Sequence, residues 1–582
     1  MVLQDVGEFE KTSECETSPI KREEKLKKLK ASPAKIFDDD LAALHMFNTK
    51  HLTLVVLICT YLFALWGNYD KVHPLTLPSP SRAEHKNQTP YVGIKINQEI
   101  FMMNDTEIND FSHHASSTAS KMALANPHTV YTLNETIKVK IVLFDHKNRP
   151  KTRGGDMLIV WMRDKSKGAA LAGSVIDHDN GTYTGTLRIL WTGHAVIRAA
   201  ILCTREKMAF MQRELRNGYA GKKITCLFHA PNLAEITSGH MDHTFLKTGQ
   251  VCNLTDKHYG VPLYCDKPKK NGIQCRHWTG INSVPWLKMT LKPKSKWYLK
   301  SFVPGTFPGN VTVHIPSAPK TAMASNIPCS RTNFRNTWLS NPAGFFFNST
   351  WRPLSCFNNI TVKHFDRCLA NRTLRMFGDS TVRQFFIVLF KYQNLTWRIG
   401  PKGTESNFIP TSKWYSYSEA YSKRFNYTVS WSPHGLPMSF ENANRTEIRP
   451  CFVHLDEIPS GSRDIVLINL YAHFQLFPVH MFKTRMRLIR LAIERLLLRS
   501  PDIKIAIKGS HYFIKHSTGN TLGGLWGPVY DKIIKQEFVA LYDRVVFLDL
   551  WDMLVSVENS DIHPPEQFIK TMLRTLFGYV CT

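Results

Sequence analysis

The chain has 582 residues, of which 43% are hydrophobic and 21% charged, a balance typical of a globular protein with room for two or three domains. It carries 74 Lys and Arg residues against 47 Asp and Glu residues, which gives a formal net charge of +27. A surface this basic can attract nucleic acid, acidic lipid or acidic glycans, so the compartment of the protein has to decide among these partners.

The N-terminal region predicts a membrane anchor. Residues 1–50 are polar and rich in charge, and we expect a disordered cytosolic tail. Residues 51–67 contain a continuous apolar run, 52–66, with basic residues upstream and with Tyr61 and Trp66 suited to a membrane interface. The run is shorter than the roughly 20 residues of an ordinary span, so the alternatives are a buried core helix and a signal-anchor in the thin early secretory membranes. We favour the signal-anchor, which places the remaining chain in the lumen.

Two further patterns support a lumenal location. No Asn-x-Ser/Thr sequon precedes the apolar run, and the sequons after it are at Asn87, Asn104, Asn134, Asn180, Asn253, Asn310, Asn348, Asn359, Asn371, Asn394, Asn426 and Asn444. Ten of the 12 cysteines also follow the run: Cys203, Cys226, Cys252, Cys265, Cys275, Cys329, Cys356, Cys368, Cys451 and Cys581. An even number of cysteines beyond a membrane predicts disulfides, with the connectivity left open. No spacing makes a convincing zinc site, and a nucleic-acid partner is disfavoured.

A stem and a β-sandwich follow the apolar run. Residues 68–120 are polar, with prolines and sequons, and predict a stem. Residues 121–230 predict a β-sandwich, because apolar and polar residues alternate from Ile137 to Leu143 and further strand patterns cover 157–161, 182–187 and 191–202. The pattern resembles a filamin-type immunoglobulin-like fold. We expect it to act in spacing or partner binding, with no chemistry of its own.

Residues 231–328 are rich in cysteine and lysine and show little periodicity, so they are interpreted as a connecting region. The basic runs 267–270 and 292–297 predict either an ordinary solvated face or a surface that attracts an acidic glycan or the phosphates of an acyl-CoA.

Residues 329–582 predict an α/β domain with a parallel sheet. Buried-strand patterns at 374–377, 464–468, 503–507 and 544–548 alternate with helical patterns, and residues 394–463 are interpreted as an insertion. The helical patterns cover 381–392, 479–499, 526–541 and 566–579. Right-handed crossovers would bring the strand ends, and with them Ser380, Asn469, Gly509 and His563, to one edge of the sheet.

The candidate nucleophile is Ser380, in the turn Gly378-Asp379-Ser380 between the first strand and its helix. A sharp strand-to-helix turn exposes a hydroxyl, and the free N–H groups of the helix can stabilise an oxyanion. A serine nucleophile needs a base and an orienting acid, and Asp561 and His563 lie in the last loop of the same pattern. The alternative is that these two are ordinary loop residues.

At these residues the chain resembles the neurexophilin and PC-esterase domain (NXPE) family, and its C-terminal part resembles PC-esterase domains of the GDSL/SGNH hydrolases. The resemblance is carried by residues 376–384, by His473-Phe474 with Phe477-Pro478, by 492–496 with 499–501, and by 563–565. It implies a multidomain fold, with a signal-anchor helix, an immunoglobulin-like β-sandwich and an SGNH-like α/β domain. It also implies the triad Ser380, Asp561 and His563. The family usually places its acid three residues before the histidine, whereas Asp561 lies two before it, so Asp549 and Asp552 are alternatives.

The expected chemistry is acyl transfer through a serine ester. Candidates for the oxyanion site are Gly378, Asn469 and His473, with a turn or capping role as the alternative for Asn469. Arg383 is the candidate for binding a substrate carboxylate, with a structural salt bridge as its alternative. Transfer to water would make an esterase, and transfer to a sugar would make an O-acyltransferase.

The resemblance to Golgi O-acetyltransferases favours a glycan acceptor, including sialic acids, with acetyl-CoA as the acyl donor, no bound cofactor and no metal. It also implies a type II Golgi membrane protein, with secretion after cleavage in the stem as a variant. The rival hypothesis is a non-enzymatic, neurexophilin-like glycoprotein that binds a neurexin-like surface partner.

Overall fold

The computed structural model describes residues 102–127, 130–216, 222–246, 249–285, 305–316, 325–399, 417–435, 443–444, 448–514 and 526–581. They belong to one compact unit, Pro90–Thr582. The predicted tail, the predicted anchor at 51–67, the basic run 292–297 and Asn87 lie outside the described residues. Among the residues described, no helix combines the length and the apolar character needed to cross a membrane.

The structure combines a β-rich N-terminal part with a C-terminal part in which strands and helices alternate. The described strands are β1 (Ala115–Leu124), β2 (Thr136–Asp145), β3 (Met157–Asp164), β4 (Ala169–Asp177), β5 (Thr182–Arg188), β6 (Gly193–Cys203), β7 (Lys222–Ala230), β8 (Leu233–His240), β9 (Val251–Asn253), β10 (Tyr264–Asp266), β11 (Trp278–Pro285), β12 (Gly305–Thr306), β13 (Val311–Ile315), β14 (Gly344–Phe347), β15 (Thr350–Pro353), β16 (Thr373–Gly378), β17 (Thr396–Ile399), β18 (Ser418–Ser422), β19 (Tyr427–Pro433), β20 (Ala443–Asn444), β21 (Ile465–Ile468), β22 (Lys504–Lys508) and β23 (Val545–Leu548). The described α-helices are α1 (Asp105–Asn109), α2 (Arg205–Arg216), α3 (Arg335–Leu339), α4 (Phe365–Leu369), α5 (Ser380–Tyr392), α6 (Cys451–Asp456), α7 (Val479–Arg499), α8 (Gly527–Glu537), α9 (Trp551–Ser556) and α10 (Glu566–Val580).

The first sheet has ten antiparallel strands. Its main order is β1-β2-β5-β4-β3-β6-β12, with β13 also paired to β6, β14 to β4, and β15 to β14. Alternation drives its folding: Ile137, Val139, Ile141 and Leu143 of β2 are fully buried, while the residues between them face outward. β1 and β4 were not among the predicted strands. The predicted stem boundary at residue 120 falls inside β1, and β14 belongs to this sheet although it follows residue 328.

A second sheet takes four of its six strands from the predicted connecting region, with β7 and β20 coming from outside it. Its order is β20-β11-β7-β8-β10-β9, and the disulfides Cys226–Cys265 and Cys252–Cys275 cross-link it. Two more disulfides, Cys329–Cys356 and Cys368–Cys581, lie in the C-terminal part. The described cysteines outside these pairs are Cys203 and Cys451, both buried thiols. The expectation of disulfides is confirmed for eight of the ten cysteines.

The third sheet carries the candidate site. Its order is β17-β18-β19-β16-β21-β22-β23, and the five strands from β19 to β23 in that order run parallel. Four of them, β16, β21, β22 and β23, are strands that the sequence predicts. The fifth, β19, lies in the segment interpreted as an insertion. Strands β16, β21, β22 and β23 are buried along most of their length, as a parallel sheet covered by helices requires.

Candidate active site

Ser380 is the first residue of α5, directly after β16 and the turn at Gly378 and Asp379. The turn needs glycine, because a Cβ at position 378 would lie 2.6 Å from Val382 Cγ2 and 2.9 Å from the Asn469 carbonyl oxygen. The close approach of strand and helix leaves Ser380 half-buried at the helix N-terminus, where backbone N–H groups gather.

Asp379 caps this helix and is itself buried. One of its carboxylate oxygens accepts hydrogen bonds from the N–H of Thr381 at 2.9 Å and from the Thr381 hydroxyl at 2.6 Å. The other accepts the N–H of Ala472 at 3.0 Å. Burial alone would raise the pKa of Asp379, but the positive charges of His473 and Lys508 and these hydrogen bonds hold it below its usual range. Asp379 is therefore a fixed negative charge beside the candidate nucleophile.

His563 lies against Ser380, with 2.7 Å between His563 Nε2 and Ser380 Oγ. The two residues are 183 positions apart, so the fold creates this pair. Burial lowers the pKa of His563, Asp379 and Asp561 oppose that effect, and Arg383 adds to it. An imidazole with a lowered pKa is neutral near pH 7, which is the form that can accept a proton from the serine hydroxyl.

Asp561 contacts His563 through the backbone. Its Oδ1 accepts the N–H of His563 at 2.9 Å. The charge of Asp561 raises the pKa of His563, but by less than the charge of Asp379 does. The two alternative acids point elsewhere: Asp549 pairs with Lys535 at 3.2 Å, and Asp552 accepts the N–H of Ala343 at 2.8 Å. Of the three candidate acids, Asp561 is the one in contact with His563.

The loop that carries His563 is held by the neighbouring strand ends. The amide of Asn559 donates to the carbonyls of Tyr512 at 2.9 Å and Asp561 at 2.7 Å. His511 Nε2 lies 2.8 Å from the carbonyl of Ile562, and Gln384 of α5 donates to the carbonyl of Pro564 at 3.1 Å. Burial lowers the pKa of His511 to about 3, so the ring is neutral and donates this bond.

Buried basic groups beneath the site were not predicted. Lys508 Nζ lies 3.3 Å from His511 Nδ1, and burial lowers the pKa of Lys508 to about 8. His434 Nε2 lies 2.9 Å from His473 Nδ1, and burial holds the pKa of His434 well below its ordinary value. The signal available in the sequence was Lys508-Gly509-Ser510-His511 at the end of a predicted strand, where polar residues collect at the edge of a parallel sheet.

The remaining predicted site residues lie close by in differing roles. The Asn469 side chain donates to the carbonyls of Lys508 at 2.8 Å and Gly509 at 3.4 Å, which ties the end of β21 to the end of β22. His473 acts electrostatically on Asp379. The Arg383 guanidinium stands 5.8 Å from the ring centre of Trp431, and burial lowers its pKa to about 10. The oxyanion roles of Gly378, Asn469 and His473 stay predictions.

A cavity whose lining does not include Ser380 lies elsewhere in the structure. It has a volume of about 460 Å³ and sits between the first sheet and helices α8 and α9. Its lining includes Asp156, Asp177, Asp531, Asp549 and Asp552. Within the described ranges, no group of three or more His, Cys, Asp or Glu side chains is arranged to hold a metal ion.

The C-terminal part of the chain matches a protein-family model. Residues 351–581 match the family model described as NXPE family member 4-like, C-terminal domain. The matched segment runs from β15 to the residue after α10 and includes Ser380, Asp561 and His563. On this match, the C-terminal part of the chain is similar to the C-terminal domain of the NXPE family.

Proposed function

We propose that the chain is a serine-dependent O-acyltransferase or esterase whose C-terminal part is an SGNH-type domain. The observation that carries the proposal is the 2.7 Å between Ser380 Oγ and His563 Nε2. A serine hydroxyl becomes a nucleophile when a neighbouring imidazole accepts its proton. The place of Ser380 at the start of α5 supports the same chemistry, because helix N–H groups can face a developing oxyanion.

In the first half-reaction, His563 Nε2 takes the proton of Ser380 while the Ser380 oxygen attacks the acyl carbonyl carbon. The bond between that carbon and the leaving group breaks, the leaving group takes the proton from His563, and an acyl-serine remains. The imidazolium that forms in between is stabilised by the carboxylates of Asp379 and Asp561, both of which raise the pKa of His563.

In the second half-reaction, His563 takes a proton from the acceptor hydroxyl, and the acceptor oxygen attacks the acyl-serine. The ester bond to Ser380 breaks and His563 returns the proton to the serine oxygen. A water acceptor gives an esterase, and a sugar hydroxyl gives an O-acyltransferase. The serine and histidine do the same work in both.

The proposed acceptor is an acidic glycan such as a sialic acid, and the proposed donor is acetyl-CoA. The net charge of +27 supports an acidic substrate. Arg383 supports it as well, because its cation lies near enough to lower the pKa of His563. Lys267, Lys269 and Lys270 are exposed cations in the loop after β10 that could attract the donor phosphates.

The proposed location is the lumen of the secretory pathway, with a Golgi membrane anchor at residues 51–67 and release by cleavage in the stem as a variant. The four disulfides support an oxidising compartment. The sequon asparagines with described side chains are all exposed, as glycosylation requires: Asn104, Asn134, Asn180, Asn253, Asn310, Asn348, Asn359, Asn371, Asn394 and Asn426.

Reaction of Ser380 with a fluorophosphonate probe tests the enzyme. We expect the full-length chain to be labelled, and labelling to be lost in both Ser380→Ala and His563→Ala. A well-folded wild type that takes no label, or a Ser380→Ala variant labelled like wild type, would contradict the proposal.

Mass spectrometry of O-acetyl groups on cell-surface sialic acids tests the substrate. The full-length chain, expressed in a secretory cell that lacks it, should raise O-acetylation, whereas Ser380→Ala should not. Equal levels for the two chains would exclude sialic acid as the acceptor while leaving the labelling result to decide on the enzyme.

A second candidate function is binding of a neurexin-like surface partner by the β-rich part, without catalysis. The observation that favours it is that Asp561 contacts the backbone N–H of His563. Asp561 also lies two residues before the histidine, whereas the orienting acid of the family usually lies three before it. Absent labelling of folded protein, together with retained binding to cell surfaces by Ser380→Ala, would support this candidate.

A further inference from the structure

A side chain five residues before His563 connects its loop to the first sheet. Glu558 follows α9 and accepts hydrogen bonds from Trp161 Nε1 at 2.8 Å, from Arg163 at 3.1 Å and from Arg198 at 3.1 Å. Trp161 and Arg163 belong to β3, and Arg198 on β6 is the direct strand partner of Trp161. The first sheet thus presents one indole N–H and two guanidinium groups to a single carboxylate.

The backbone at Glu558 has the left-handed conformation of a residue that ends a helix. Its φ is 57°, in the left-handed region that a residue with a side chain adopts at a cost of about 1 kcal/mol. The N–H of Glu558 bonds to the carbonyl of Val555 and the N–H of Asn559 to that of Leu554, both at 3.0 Å, so these bonds end α9 and set the position from which the carboxylate reaches the three donors. Exposed ion pairs contribute little to stability, and the Glu558 side chain is half-exposed. We therefore expect its ion pairs to fix the position of the backbone at residue 558 more than they stabilise the fold.

The helix before Glu558 packs on the same sheet. α9 contacts β3, β4 and β14, and its Asp552 accepts the N–H of Ala343 just before β14. Met157, Ile159 and Trp161 of β3 belong to the same continuous apolar core as Met553 and Leu554 of α9. The chain therefore enters the His563 loop from a helix that is seated on the β-rich part.

The loop after Glu558 is short and fixed at its other end by the third sheet. Residues 559–562 bond to the segment after β22 through the Asn559 amide, the Ser560 carbonyl and the Ile562 carbonyl. His563 follows directly, 2.7 Å from Ser380. Displacing the loop at its Glu558 end would therefore move His563 relative to Ser380.

We propose that the β-rich part is a positioning element of the Ser380–His563 site and acts through Glu558. This inference rests on the proposed function and deepens it. The C-terminal domain alone then holds the reacting groups but lacks the contacts that fix their geometry, and the β-rich part has a role beyond spacing or partner binding.

The test uses the full-length chain and changes both ends of the contact. Glu558→Gly removes the carboxylate but keeps a residue that favours a positive φ, and Glu558→Gln keeps a hydrogen-bond acceptor without the charge. The double change Arg163→Met and Arg198→Met removes the cations on the first sheet. Asp456→Asn, which breaks a half-exposed ion pair between α6 and α7, is the matched control.

Amide hydrogen exchange over residues 559–565 reports on the loop whether or not the chain is an enzyme. We expect faster exchange there in Glu558→Gly and in the double arginine variant, a smaller change in Glu558→Gln, and none in Asp456→Asn. Unchanged exchange in the first two variants would overturn the inference by itself.

The rate and pH profile of fluorophosphonate labelling report on the site. We expect the labelling rate of Glu558→Gly to fall between about 10- and 100-fold, because small displacements of reacting groups are costly. The pH of half-maximal labelling should rise, since burial lowers the pKa of His563 and a loosened loop would expose it. Wild-type rate and midpoint in Glu558→Gly would overturn the inference, whereas failure of the wild type to label would contradict the proposed function and leave the exchange result to decide the loop.

Discussion

Two carboxylates act on His563, and the one with the larger effect is Asp379, the residue just before the candidate nucleophile. Asp379 caps α5 and is buried among cations and N–H donors, so it remains ionised. Asp561 reaches the backbone of His563 and holds the loop that carries the ring. The orienting and electrostatic duties that one triad acid usually combines are divided here between two residues.

This division predicts a mild phenotype for Asp561→Asn. Asparagine can still accept the N–H of His563, so the loop should stay in place. Loss of the charge removes one influence that raises the pKa of His563, so the pH of half-maximal labelling should fall. The labelling rate at high pH should change by less than about tenfold, far from the roughly 10⁴-fold loss that follows removal of an orienting triad acid.

The pH profile of fluorophosphonate labelling, measured for wild type and Asp561→Asn, checks this expectation. A midpoint that stays fixed or rises would contradict the electrostatic role of Asp561. A rate loss approaching that of His563→Ala would instead assign to Asp561 the full role of a triad acid.

At the scale of single residues, the sequence predicts the reacting residues more accurately than it predicts the residues around them. Ser380 is recognisable because it follows a strand, and His563 because it lies in the last loop of the alternating pattern, although α9 separates it from β23; the fold brings the two together. The burial of Lys508, His511 and His434 depends on segments that meet only in the folded chain. Polar residues next to strands are common, so their sequence positions alone carry little information on burial.

Among the elements, apolar runs were predicted well and small-residue strands were not. α7 occupies 479–499 as expected, because its apolar residues recur at helical spacing over almost six turns. β1 and β4 are built largely from alanine, serine and glycine, which give a weak hydrophobic signal. β19 was assigned to an insertion because serines alternate with its apolar residues, although Ser430 and Ser432 are both buried.

The disulfide Cys368–Cys581 fixes the helix that follows the His563 loop. It joins α4 to the residue after α10 across a sequence separation of 213, and α10 packs on α5. Changing both cysteines to serine should lower the free energy of unfolding by between about 2 and 5 kcal/mol, because cross-links over long separations restrict the unfolded chain most. Labelling of Ser380 should also slow, since Ser380 begins α5 and His563 lies in the loop just before α10.

Thermal unfolding of the oxidised chain measures the first effect. The matched control replaces Cys252 and Cys275 by serine, which opens a cross-link with a separation of 23 in the second sheet. We expect this control to cost about 2 kcal/mol less and to leave labelling at the wild-type rate. Equal losses of stability for the two pairs would contradict the loop-length argument.

At the scale of the whole molecule, a strongly basic chain encloses an acidic cavity where its β-rich and α/β parts meet. Five aspartates from β3, β4, α8, α9 and their flanking turns line it, with Lys535 paired to Asp549. Burial first, and then the charge of Asp549, raises the pKa of both Asp531 and Asp552 to about 7. The interface therefore holds carboxyl groups that ionise near neutral pH.

Asp531 offers the clearest test of this interface, because it is 3% exposed and accepts both the N–H and the hydroxyl of Ser510. Its pKa is raised in the folded chain, so the folded state binds a proton that the unfolded state releases. The associated stability is fully present below the unfolded pKa of about 3.9 and is lost as the pH rises through about 7. Asp531→Asn mimics the neutral form, so near or below the unfolded pKa of about 3.9 its stability should resemble that of wild type. Near pH 8 the variant should be more stable than wild type, on the order of 4 kcal/mol. Thermal unfolding of both chains across this range gives the difference, with the exposed Asp543→Asn as a control that should show no such trend. An Asp531→Asn chain that loses stability relative to wild type as the pH rises would show that the buried carboxylate is favoured over the carboxylic acid at this interface.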